Sequence, residues 1–237
     1  MTAAAVRRWW RRRLDPGERF GLRLSLLAAA VLLVAVPFGW LVTQLEAGTV
    51  VARIDASAAD SLHEWARRSP GAVRALKVLT VLGATLWLWL AVVLPAGAWL
   101  WRQGRRRSAV FLGSTALVGG LLNYSVKLAV GRARPEFLEP VATAGGRSFP
   151  SGHAMSSTVV YGAVLIALLP VLAGRRRRLA AVLATGALVT AVGFSRLGLG
   201  VHYLSDVLGG HLLGVAWLAA SAAAFATWRS EAAAGQR

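Results

Sequence analysis

Phe149-Pro150-Ser151-Gly152-His153 stands between a polar loop and a long apolar run. A small hydroxyl residue and a glycine at a helix start leave backbone N–H groups unpaired, which makes an anion site. His153 then sets a titratable imidazole beside the anion. By itself this stretch reads equally well as a capped helix with a stray histidine. Two further clusters change that weighting. One is Lys127, followed after six residues by Arg134-Pro135; the other is Ser195-Arg196, then His202, then Asp206. His202 and Asp206 are four apart, so a helical turn brings the carboxylate to the ring. Such a carboxylate fixes the imidazole tautomer and raises its basicity.

Together these residues suit phosphoryl transfer. Lys127, Arg134 and Arg196 supply cations, while the Ser151 hydroxyl and the Gly152 N–H supply neutral donors. That set can surround phosphoryl oxygens and stabilise the charge redistributed during transfer. One histidine can attack phosphorus while the other protonates the leaving oxygen. The residues alone leave open which attacks, although Asp206 beside His202 favours His202. Neither a glycine-rich nucleotide loop nor a carboxylate cluster occurs, so no metal site and no cofactor are expected. Lysine and arginine at a span end can also snorkel to the interface. That plainer reading covers Arg132, but not the convergence of three clusters on one face.

The elements that must hold these groups are membrane spans. The chain has 237 residues, 56% of them hydrophobic, with no cysteine and a net charge of +17. Several apolar runs approach or reach the ~20 residues that cross a bilayer. The arginines lie in short clusters between those runs, which is the pattern of charges flanking spans rather than of a nucleic-acid surface. Without cysteine there are no disulfides and no thiolate chemistry. The expected fold is all-α, a polytopic membrane protein with six spans: Leu24 to Leu45, Lys77 to Trp101, Ser108 to Val130, the Pro-Ser-Gly-His stretch to Ala173, Leu179 to Phe194, and Asp206 to Trp228. Between the first two lies a helix with apolar residues at Val51, Ile54, Ala58, Leu62 and Trp65, spaced for one face and expected to lie on the membrane surface. His63 and Glu64 within it read as solvated surface.

Residues 1–22 form a basic arm with Trp9 and Trp10, either an interfacial segment on an anionic leaflet or a solvated positive tail. Residues 23–229 form one membrane domain and 230–237 a tail. Basic residues concentrate in the arm, in the loop holding Arg102 to Arg107, in the run Arg175 to Arg178 and in the tail. The positive-inside rule therefore puts both termini in the cytoplasm and all three clusters outside.

Lysine, six residues, Arg-Pro; Pro-Ser-Gly-His; and Ser-Arg, five residues, His, three residues, Asp: this set resembles the signature of the type 2 phosphatidic acid phosphatase superfamily, which also includes vanadium-dependent haloperoxidases. The resemblance covers Lys127 to Asp206 without a departure at a signature position, and the six-span layout extends it across most of the chain. It implies a metal-free lipid phosphatase in a bacterial cell membrane. His202 would be the nucleophile that forms a phosphohistidine, Asp206 would orient it, and His153 would protonate the leaving group and then activate water. Lys127, Arg134, Ser151, Gly152 and Arg196 would bind the phosphate. Undecaprenyl diphosphate, phosphatidic acid and phosphatidylglycerol phosphate are candidate substrates. The partners are then lipid, not nucleic acid. A lipid phosphotransferase and a non-catalytic lipid carrier or scramblase are the alternatives on the same scaffold.

Other polar residues rank below these. His211 lies within the sixth span, outside the signature. Asn123, one turn before Lys127, fits helix–helix hydrogen bonding better than orientation of the ammonium. Arg132 and Arg147 border the site, either assisting a second phosphate or lying in a solvated loop. Glu136, Phe137, Leu138 and Glu139 lie in the loop expected to border the substrate entrance, where Phe137 and Leu138 could touch a lipid chain.

Overall fold

The computed structural model describes residue 32, residues 36–46 and residues 48–234, with 226–234 described by backbone alone. The basic arm, the first part of the span expected from Leu24, and the end of the tail lie outside these residues. A helical stretch over residues 36–43 leads into seven helices: α1 (Val50–Arg68), α2 (Pro70–Val81), α3 (Thr85–Arg102), α4 (Arg106–Val130), α5 (Gly152–Leu168), α6 (Arg175–Gly198) and α7 (Leu204–Ala234). Among the described residues there is no strand.

Helices α3, α4, α6 and the Leu204–Phe225 part of α7 are long and apolar enough to cross a bilayer. Helix α5 is apolar but has only 17 residues. Leu86, Leu90, Leu117, Leu121, Leu128 and Leu183 are all more than half exposed, as lipid-facing side chains are. The chain is a multi-pass membrane protein.

Helix α5 is the centre, packed by α4, α6 and α7. Small residues let the backbones approach closely. A Cβ at Gly210 of α7 would lie 2.7 Å from the Ser151 carbonyl oxygen, and one at Gly214 3.1 Å from that of Met155. An apolar core of Leu88, Leu100, Phe111, Leu112, Val160 and Ala163 fills the bundle between α3, α4 and α5. The connections from α4 to α5 and from α6 to α7 gather at one end, and those from α3 to α4 and α5 to α6 at the other.

Three boundaries differ from the hydropathy reading. The span expected from Lys77 starts at Thr85, and Lys77 belongs to the separate helix α2. The break at Leu82–Ala84 is invisible to hydropathy because apolar residues flank it. There a Cβ on Gly83 would lie 2.4 Å from Val192 Cγ1 and 3.1 Å from His153 Cδ2, and Tyr161 Oη donates to the Leu82 carbonyl at 2.8 Å. Helix α5 stops at Leu168 rather than Ala173. Helix α6 is longer than expected: it takes in the arginine run and continues past Arg196 to Gly198.

Helix α1 docks on the bundle by its small and polar stripe. Its inward face carries Asp55, Ala59, His63 and Ala66, while Val50, Ile54 and Trp65 stay exposed. His63 is therefore not solvated. It is 8% exposed and stacks on Phe137 with ring centroids 3.9 Å apart. Glu64 pairs with Arg68 at 2.6 Å.

Candidate active site

The last turn of α4 holds Lys127, and Gly131 ends the helix with φ 69°, its N–H bonded to the Lys127 carbonyl at 3.0 Å. This left-handed cap turns the chain so that Arg132 and Arg134 point back over the bundle end. Lys127 Nζ donates to the carbonyls of Arg147 (2.6 Å) and Ser148 (3.3 Å). Arg134 is held by the carbonyls of Val201 (2.6 Å), Gly145 (3.0 Å) and Gly146 (3.1 Å).

Ser151 caps α5 in extended geometry, but its side chain makes no cap bond; Oγ is buried without a hydrogen-bond partner. Its N–H instead donates to the Asp206 carbonyl at 2.9 Å, which joins the start of α5 to the start of α7. Gly152 leaves room beside Lys127, whose Cε would sit 3.9 Å from a Cβ there. His153 lies against Gly83, within electrostatic reach of Arg196, His202, Arg134 and Lys127. Arg196 reaches in from α6, 8% exposed; its Nη1 donates to Thr80 Oγ1 at 2.7 Å, and Nε is buried without a partner.

His202 sits in the turn between α6 and α7, and Asp206 in the first turn of α7. Their contact thus crosses a turn–helix junction, rather than running along one helix. His202 Nδ1 lies 3.3 Å from Asp206 Oδ2. Arg134 Nη1 lies 2.9 Å from His202 Nε2. A guanidinium can only donate, so Nε2 is the accepting nitrogen and the proton rests on Nδ1, toward Asp206. Burial pushes the His202 imidazole down to about 4 despite Asp206, and Arg134 and Arg196 add to the fall. The ring is therefore neutral near pH 7, with a lone pair on Nε2. Burial likewise lowers Arg134 and raises Tyr203 from their ordinary values.

Asp206 is fully buried. Its Oδ2 accepts from Ser148 Oγ and from the Tyr203 N–H at 2.8 Å, and its Oδ1 from Arg132 Nη1 at 2.7 Å. Arg132 Nη2 in turn reaches Asp55 Oδ2 at 2.8 Å. Arg132 is thus neither a solvated loop residue nor free for a second phosphate, since two buried carboxylates hold it. The sequence reading missed Asp55. Its only local signal is the stripe of small and polar residues Asp55, Ala59, His63 and Ala66, which runs beside the apolar one. Ser148 and Thr80 carry no such signal.

The remaining polar residues stand apart. Asn123 donates to Met155 Sδ at 3.4 Å, a helix–helix contact between α4 and α5. His211 Nδ1 lies 2.8 Å from Thr158 Oγ1 within the bundle. Arg147 donates to the Gly131 carbonyl at 3.1 Å. Glu139 pairs with Arg67 at 2.7 Å, and Leu138 is fully exposed. Among the described residues, no group of three or more His, Asp or Glu could hold a metal ion. A cavity of about 280 Å³ lies between α3, α4 and α5, lined by Gly152 and Asn123 and by Trp89, Leu117, Leu121 and Val159.

A family model described as the PAP2 superfamily matches residues 108–230. Phosphatidylglycerophosphatase B of Bacillus subtilis (strain 168) is 36% identical over 155 residues, which cover 62% of this chain and 72% of that protein. Decaprenylphosphoryl-5-phosphoribose phosphatase of Mycolicibacterium smegmatis is 34% identical over 144 residues, covering 60% and 72% respectively. The crystal structure of a transmembrane PAP2-type phosphatidylglycerolphosphate phosphatase from Bacillus subtilis matches with a TM-score of 0.73 and 26% identity, over 81% of this chain and 94% of that one.

Proposed function

The chain belongs to the PAP2 superfamily, and from that premise we propose that it is a membrane lipid phosphatase whose nucleophile is Nε2 of His202. The observation that carries this reading is the His202 ring itself. Its Nδ1 faces a buried carboxylate and its Nε2 faces Arg134, within electrostatic reach of His153 and Arg196.

The chemistry follows from that placement. Arg134 Nη1 moves from Nε2 to a phosphoryl oxygen when substrate enters, which frees the lone pair. Lys127, Arg196, Ser151 Oγ and the Gly152 N–H take the other oxygens. Nε2 attacks phosphorus, the bond from phosphorus to the lipid-side oxygen breaks, and His153 delivers a proton to that oxygen. The positive charge that builds on His202 is balanced by Asp206 through Nδ1. Water then attacks the phosphohistidine while His153 takes its proton, and inorganic phosphate leaves with Nε2 restored.

The substrate class is a lipid bearing a terminal phosphate or diphosphate. The names of the relatives support it, and so does the apolar cavity beside Gly152, which suits a hydrocarbon chain. By the distribution of basic residues, the lipid is presented at the outer leaflet and both termini are cytoplasmic.

The test is phosphate release by purified protein in detergent from phosphatidic acid, phosphatidylglycerol phosphate and undecaprenyl diphosphate, with EDTA present and no acceptor alcohol. Release from at least one lipid is expected, with an acid-labile phosphoenzyme in the wild type and none in His202→Ala. Turnover that persists in His202→Ala would overturn the assignment.

A further inference from the structure

We infer that Asp55 and Arg132 act as a positioning couple for Asp206, setting how much negative charge that carboxylate presents to the His202 imidazole. This rests on the proposed roles of His202 and Asp206. Arg132 is 12% exposed and lies between Asp55 (2% exposed) and fully buried Asp206. One guanidinium nitrogen binds Asp55 Oδ2 at 2.8 Å, and the other binds Asp206 Oδ1 and Ser205 Oγ, each at 2.7 Å. Asp55 also accepts from the Ser205 N–H at 2.9 Å and from the Ser205 hydroxyl. The Arg132 guanidinium carbon sits 4.2 Å from the centroid of the Tyr203 ring. Three donations and one stack hold this guanidinium, and none of these hydrogen bonds goes to the phosphate-binding set.

The arrangement has an electrostatic consequence. A guanidinium bound to Asp206 alone would cancel that carboxylate's charge and weaken its hold on an imidazolium. Asp55 shares the guanidinium, so the trio as a whole keeps one net negative charge. Meanwhile the Arg132 contact at Oδ1 leaves Oδ2 facing His202 Nδ1. Asp55 comes from α1, more than a hundred residues away in the chain, so the docking of that helix is linked to the reacting ring.

The other titratable or charged groups facing His202 are Arg134 in the loop, Arg196 on α6 and His153 on α5, with Lys127 of α4 beyond His153. His63 of α1 borders the adjacent turn, with Nδ1 3.8 Å from the Cβ position of Gly200. None of these changes in the variants below.

The test is the pH profile of kcat/KM for Asp55→Asn, Arg132→Gln and the double variant, measured on the full chain in detergent with the best substrate from the phosphate-release assay. Asp55→Asn makes the trio neutral, Arg132→Gln makes it doubly negative, and the double variant restores one negative charge. The acid limb should therefore move down by roughly half to one pH unit in the first, move up by a similar amount in the second, and return in the third. Both single variants should lose about tenfold in kcat with KM changed less than about threefold, since no phosphate-binding group is touched. A limb position does not depend on the yield of folded enzyme. If Arg132→Gln fails to fold, the downward shift in Asp55→Asn still decides. Limbs that stay at the wild-type position while activity falls would mean that the couple only braces the fold, and would overturn the inference. Loss of the phosphoenzyme reading itself would appear separately, as turnover in His202→Ala.

Discussion

Asp206→Asn keeps the shape of the side chain and removes only its charge and one acceptor. In the native site, three donors converge on Oδ2, from Ser148 Oγ, the Tyr203 N–H and His202 Nδ1, and Arg132 Nη1 meets Oδ1. An asparagine has one oxygen and one NH₂ for these two positions. With oxygen at the Oδ2 position, the NH₂ faces Arg132 Nη1, two donors at 2.7 Å. In the flipped orientation, the NH₂ meets the Tyr203 N–H and His202 Nδ1, and the imidazole must move its proton to Nε2. That tautomer has no lone pair for attack. Removing one partner of a buried ion pair costs about 3–5 kcal/mol. Here Asp55 still partners Arg132, so a value near the low end is expected, about 3 kcal/mol, and part of it should appear in the transition state as the imidazolium forms. With about 2.7 kcal/mol of it in the transition state, kcat drops about a hundredfold, and the small remainder lowers the melting temperature in detergent.

The assay is phosphate release across substrate concentrations, with a thermal melt on the same preparation. KM should change little, because Lys127, Arg134, Ser151 and Arg196 are untouched. A kcat within tenfold of the wild type would show that neither the Nδ1–H tautomer nor the charge of Asp206 matters, and would refute the reasoning.

His153→Ala should turn over a lipid substrate poorly, yet form an acid-labile phosphoenzyme that accumulates from p-nitrophenyl phosphate if that substrate is accepted; an adduct trapped on His153 in His202→Ala would reverse the two roles. Because burial holds the His202 imidazole down at about 4, the ring is unprotonated above that pH. Formation of the phosphoenzyme from a good leaving group should therefore fall only as pH drops toward 4, and a fall already centred near the ordinary ~6.5 would contradict this. Gly210→Ala places a Cβ 2.7 Å from the Ser151 carbonyl oxygen and 3.2 Å from the Met155 nitrogen, both backbone atoms that cannot swing aside. A loss of about 1–3 kcal/mol in stability should follow, seen as a lowered melting temperature with reduced kcat. The chain has no native cysteine, so Leu138→Cys should react with an impermeant maleimide in intact cells and Ala173→Cys should not; the reverse pattern would invert the proposed topology.

The end of α4 at Val130 was legible because a glycine follows directly and polar residues begin there. The pairing of His202 with Asp206 was legible because spacing within four residues is a local property. The break at Gly83 was not, since what leaves no room for a side chain there is one residue of α6 and one of α5, both remote in sequence. Hydropathy measures how a residue would partition alone, and it has no access to such a contact. The docking face of α1 was missed for a related reason. The apolar stripe was assigned to the membrane surface and His63 to solvent, whereas the small and polar face that carries His63 packs against the protein.

Arg132 shows the limit most sharply. By its own neighbours it is one more arginine at a span end, and snorkelling accounts for it fully. Its two carboxylate partners lie 77 residues before it and 74 after it. Neither separation carries a period or motif. The signal that could have raised it is energetic. A chain with ten acidic residues against 27 basic ones has few carboxylates to spare, and one placed inside a helix next to the membrane must find a cation or go unpaired at a cost of several kcal/mol. On the inward face of its helix Asp55 stands with Ala59, His63 and Ala66, so it demanded a cation from elsewhere. The demand is readable from sequence even where the pairing is not.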